Sequence, residues 1–91
     1  MGEVGRVTVE FYGIPRQRAG RAELCVEAAT VADALAAVVR ACPGLAGLVQ
    51  ADGRLAPHYL LSLQGCHFLS DLQQPLCSGD HLLLLTADVG G

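Results

Sequence analysis

Val7, Val9 and Phe11 alternate with Thr8, Glu10 and Tyr12, the period-two pattern of a strand with one face on a core and the other toward water. Gly13 to Gly20 contains a proline, two glycines and two arginines and predicts a hairpin loop. Beyond it, Ala22, Leu24 and Val26 alternate with Glu23, Cys25 and Glu27, which predicts the returning strand.

The period then changes. Val31, Ala34, Leu35, Val38 and Cys42 recur at steps of three and four, an apolar stripe that fits a helix lying across a sheet. Thr30 stands at the N-cap position, and Asp33 can reach back in a capping box while its charge meets the positive helix end. Pro43-Gly44 ends the helix. Leu45, Leu48 and Val49 predict one short extra turn before Asp52-Gly53, which is turn chemistry. Tyr59 to Gln64 predicts a third strand, Gly65 a break, and Cys66 to Leu69 a short fourth strand. After turn signals at Pro75 and Ser78-Gly79-Asp80, His81 to Thr86 holds four consecutive leucines. Such a run predicts a strand covered on both faces or placed at the centre of a sheet. The order strand, strand, helix, strand, short strand, strand predicts an α+β roll. If the last strand lies beside the first, the sheet is mixed and residues 87–91 leave it from its middle.

Composition narrows the function. A chain of 91 residues that is 52% hydrophobic and 16% charged is one folded domain with apolar surface left for a partner. Its net charge of −3 offers no field for a phosphate backbone, so nucleic acid is not an expected partner. All six Lys/Arg residues are arginines, so no side-chain amine can accept an isopeptide link. Neither a signal peptide nor a stretch of roughly 18 apolar residues is present, so no membrane partner is expected and a cytoplasmic location is the default. Cys25, Cys42, Cys66 and Cys77 form no C-x-x-C pair, and His58, His67 and His81 are scattered. Free buried thiols and no metal site are the expectation.

The end of the chain carries a resemblance. Asp71, Pro75-Leu76, Gly79-Asp80, a six-residue apolar-rich strand and a closing Gly90-Gly91 resemble the MoaD/ThiS family of sulfur carriers, and within it the small subunit of molybdopterin synthase. Thr30 to Leu35, Cys42 to Leu45, and Phe11-Tyr12 with Arg16 and Gly20 are similar to the family's helix and first-strand regions. Thr86-Ala87 stand where many members carry Pro-Pro, and Asp88 adds a negative charge.

The resemblance implies a ubiquitin-like β-grasp roll over residues 1–86, with a mixed four- to five-stranded sheet, one main helix on one face, and a flexible tail over 87–91. It implies a cosubstrate with no catalytic residues and no bound cofactor of its own. An adenylating, ubiquitin-activating-like enzyme would use ATP to activate the Gly91 carboxylate. A sulfur donor protein would convert it to a thiocarboxylate, and the larger synthase subunit would admit Val89, Gly90 and Gly91 to its active site for molybdopterin assembly. Two glycines suit a channel that admits backbone alone.

Tyr12, Phe68 and Leu85 are the candidates for an apolar docking patch; the core is the competing place for Phe68 and Leu85. Arg16, Arg18 and Arg21 can guide an acidic partner, although a solvated cluster is the commoner outcome, and they stay outside the predicted site. Three other functions remain open at this level: sulfur delivery to thiamine or another metabolite, protein modification through an isopeptide bond, and a plain β-grasp interaction module.

Overall fold

The computed structural model describes residues 4–86. Its strands are β1 (Gly5–Phe11), β2 (Glu23–Ala28), β3 (Tyr59–Leu63), β4 (His67–Phe68) and β5 (His81–Thr86), and its helices are α1 (Ile14–Ala19) and α2 (Val31–Ala41). The five strands form one sheet in the order β2-β1-β5-β3-β4. β1 and β5 pair in parallel, Val9 against Leu82 and Phe11 against Leu84, while the other neighbours are antiparallel. The sheet is therefore mixed, with the last strand beside the first, as the α+β roll requires.

One sheet face makes the core. Val7, Val9 and Phe11 of β1, Leu61 of β3 and Leu82 and Leu84 of β5 pack against Val31, Ala34, Leu35 and Val38 of α2, all of them buried. Leu45, Leu48, Leu69, Leu72 and Leu76 are buried in the same cluster. Thr30 caps α2, its Oγ1 accepting the Asp33 N–H at 3.2 Å. The Val31 and Ala32 N–H groups donate to the carbonyls of Gln74 and Leu72, so loop atoms complete the capping of the first turn. The reciprocal capping-box bond from the Asp33 carboxylate is not among the hydrogen bonds of the described residues. After α2, the extra turn expected over Leu45, Leu48 and Val49 falls earlier: Pro43–Leu45 forms a single 3-10 turn that buries Leu45, while Val49 makes an isolated bridge with Leu55.

The segment 13–20 departs from expectation: it is the helix α1, not a hairpin loop. Its proline and glycines are boundary residues. Pro15 sits in the first turn, where a missing N–H costs nothing, and Gly20 takes the left-handed conformation (φ 74°) after the last turn, its N–H donating to the Arg16 carbonyl. Pro15 is buried, and the backbone of α1 comes so close to Gly44 that a Cβ there would collide with the Arg18 carbonyl.

Two stability measurements check this packing. Leu84→Ala, at a fully buried position of the central strand, is expected to lower the denaturant-derived unfolding free energy by about 2 to 5 kcal/mol, and Leu83→Ala, half-exposed on the same strand, by no more than about 1 kcal/mol. Gly44→Ala meets backbone that cannot swing aside, and a loss of about 1 to 3 kcal/mol is expected.

Candidate functional site

β5 carries the chain to the region where the resemblance puts the chemistry. It runs between β1 and β3 and ends at Thr86, which pairs with Tyr59. Val89, Gly90 and Gly91, the predicted reactive segment, lie outside the described residues. The leucine run is central, as expected, but is not covered on both faces. Leu82 and Leu84 are buried under α2, whereas Leu83 and Leu85 are only half-buried on the opposite face, where no helix lies.

That outer face can be followed residue by residue through the register. Glu23 of β2 faces Glu10 of β1, Glu10 faces Leu83 of β5, Leu83 faces Ser62 of β3, and Ser62 faces Phe68 of β4. One step nearer the end of β5, Leu85 faces Leu60. The face is thus acidic over β1 and β2 and apolar over β5, β3 and β4.

Of the predicted docking residues, Tyr12 is 46% exposed and Phe68 65%, which places both on the surface and not in the core. Leu85 is half-buried beside them in the sheet. The structure does not gather the three into one hollow. Tyr12 lines a shallow depression with Glu10, Gln64, His81 and Leu83, and Phe68 lines another with Arg54, Pro57, Tyr59 and Leu60. The half-buried leucines of β5 separate them.

A polar cluster borders the first depression, assembled by strand pairing that no local pattern of residues reveals. His81 Nε2 and Glu10 Oε1 are 2.8 Å apart. Glu10 and His81 each lie on the outward register of their strand, but only the parallel β1–β5 pairing makes them neighbours. The His81 hydrogen bond, and then the one from the Tyr12 hydroxyl, hold the Glu10 carboxyl below the ordinary carboxylate range, while the carboxylate in turn raises the Tyr12 phenol. At the other end of the sheet, the Arg18 guanidinium donates to the Tyr59 hydroxyl at 3.2 Å.

The thiols differ from expectation: Cys42 is buried, but Cys25, Cys66 and Cys77 are exposed, because they fall on the outer register of β2 and in the turns flanking β4 and β5. Among the described residues no three His, Cys, Asp or Glu side chains converge as metal ligands, and no helix is long and apolar enough to cross a membrane.

A mixed sheet with parallel first and last strands and one long helix across its inner face define a ubiquitin-like β-grasp domain. No protein-family model matches the sequence, and no curated protein matches it. Solved structures do. SAMP1 from Haloferax volcanii is 30% identical over 96% of this chain and 100% of its own, with a TM-score of 0.82. Small archaeal modifier protein 1 from Methanosarcina acetivorans is 23% identical over 99% of this chain and 100% of its own, with a TM-score of 0.84. A chain of the complex of subunits 1 and 2 of the molybdopterin-converting factor from Helicobacter pylori is 23% identical over 94% and 99%, with a TM-score of 0.65. The chain belongs to the MoaD/ThiS-type family of ubiquitin-like sulfur-carrier proteins.

The Glu10 environment sets a pH dependence of definite sign. A carboxyl whose pKa is depressed on folding stabilises the fold above its unfolded pKa and loses that contribution as pH falls through the folded value. His81, Tyr12, Arg16 and the facing Glu23 are the ionisable groups around it. Glu10→Gln is therefore expected to lower stability near neutrality, with the difference from wild type closing in acid. Denaturant unfolding from about pH 7 to about pH 3 measures it, and a difference that stays constant would show that the pair contributes nothing.

Proposed function

We propose that this chain is a sulfur carrier whose Gly91 carboxylate is activated as an acyl adenylate and converted to a thiocarboxylate, which a larger partner subunit then uses for molybdopterin assembly. The observation that carries the reading is the position of β5. It is the central strand, it is held by β1 and β3 on its two sides, and its last residue, Thr86, stands five residues before Gly91. A strand anchored in this way presents the following segment at a fixed point of a rigid body, as delivery into an enclosed active site requires.

The chemistry needs little from the carrier. ATP supplies the leaving group: carboxylate oxygen attacks the α-phosphorus and pyrophosphate leaves; the outer sulfur of a donor persulfide then displaces AMP at the carbonyl carbon, and a second thiol cleaves the resulting acyl disulfide, forming a disulfide with the donor and releasing the thiocarboxylate. The activating enzyme and the sulfur donor provide the catalytic groups. Tyr12, Leu85 and Phe68, with Leu60 and Leu83 between them, form the outer face against which the larger subunit would dock. The similarity to one chain of a two-subunit molybdopterin-converting factor supports this partner class.

A second reading, protein modification, is favoured by one observation: the structures reported at 30% and 23% identity include small archaeal modifier protein 1. Activation would be the same, and an amine in place of sulfur would displace AMP to leave an isopeptide bond.

Intact-mass measurement of the chain from its native cells, with fragmentation, separates the readings. Replacement of one oxygen by sulfur at Gly91 is the expected result. Gly91 joined to lysines of other proteins would establish the modifier instead. A Gly91 carboxylate unchanged by ATP and the cell's activating enzymes would remove both. With the larger subunit in hand, Phe68→Ala is expected to weaken its binding by roughly tenfold, measured by calorimetry, without changing the melting temperature.

A further inference from the structure

Three of the six arginines fall within residues 16–21, on α1 or just after it, in a chain whose net charge is −3. Arg16, Arg18 and Arg21 are exposed, and the one ion pair among the described residues is Glu10 with His81. Exposed arginines alone signify little. The place of one of them signifies more. The Arg18 guanidinium donates to the hydroxyl of Tyr59, and Tyr59 is the residue paired with Thr86, the last residue of β5. The hollow lined by Tyr59 and Leu60 is also lined by Arg54, likewise exposed. One guanidinium is thus bonded to the residue that stands opposite the end of the central strand, and a second arginine lines the hollow beside it.

Among the described residues neither arginine is in an ion pair with a carboxylate. Glu10 is taken by His81 and the Tyr12 hydroxyl, and Asp52 accepts the backbone N–H of Arg54 and makes no ion pair with its side chain. A partner that receives residues 87–91 through a narrow opening must bring the rim of that opening against Tyr59, the Arg18 bonded to it and the hollow that Arg54 lines, because Thr86 is where the strand ends.

We infer that Arg18 and Arg54 form a basic collar at the root of the tail, recognised by carboxylate side chains on the rim of the protein that takes the tail in. The inference rests on the carrier reading above, in which residues 87–91 enter a partner. Guanidinium forks meet carboxylates through two parallel hydrogen bonds, so the collar fixes the rotation of the carrier about its tail as well as drawing it in. Charges at such a rim act chiefly on encounter rate and register, and their effect is screened by salt.

The test uses the full chain and the activating enzyme from the same cells, isolated by its ATP-dependent formation of the Gly91 adenylate. Arg18→Glu with Arg54→Glu is expected to raise KM for the carrier roughly tenfold or more while kcat is unchanged, and to flatten the dependence of kcat/KM on salt. Arg54→Glu alone leaves the Arg18–Tyr59 hydrogen bond in place and should still raise KM several-fold by the same rim-charge effect. Arg40→Glu, at a separate hollow beside α2, should match wild type. Equal KM values for the collar variants and Arg40→Glu would overturn the collar. Binding of ATP or pyrophosphate by the isolated chain, lost in the collar variants, would also overturn it in favour of a phosphate site. No adenylation of the wild type would overturn the carrier reading and the collar with it, whereas normal adenylation with unchanged KM removes the collar alone.

Discussion

The parallel pairing of β1 with β5 is the constraint on which the rest depends. It joins the first and last strands at the middle of the sheet, so every intervening element must leave and return around that pair. A parallel connection cannot be made by a tight turn and needs a long crossover. The stretch between β2 and β5 supplies it, and α2 uses that length to cover the one face on which Val9, Phe11, Leu82 and Leu84 lie side by side. The core, the exposed outer face and the exit point of β5 all follow from the same contact.

Elements with a clean period were legible in the residues. The alternation of β1, the stripe and cap of α2, and the span of β5 from His81 to Thr86 agree with the structure because one local interaction decides each of them. α1 was not legible. Pro15, Gly13 and Gly20 have the composition of a loop, yet a proline in the first turn and a glycine after the last are how a short helix begins and ends. The exposure of the thiols has a related cause: Cys25 sits in the polar register of β2, and that register outweighs the general tendency of cysteine to be buried.

The candidate site divides in the same way. That Tyr12 faces outward can be read from β1 alone, whereas the facing of Glu10 with His81, and of Arg18 with Tyr59, depends on non-local pairing that no window of sequence contains. Leu85 and Phe68 needed the register of three strands to be placed on one face. Gly90-Gly91, the proposed reactive end, lies outside the described residues, and only the resemblance carried by the segments before it singled it out.

The ladders on both sides of β5 also determine how the domain bears a mechanical load. Traction applied at Thr86 along the strand axis pulls β5 past β1 and β3 together, so their hydrogen bonds are stressed in shear and share the force, where a strand at the sheet edge pulled sideways would peel off one bond at a time. A body built this way can be withdrawn by its end from a tight enclosure without unravelling.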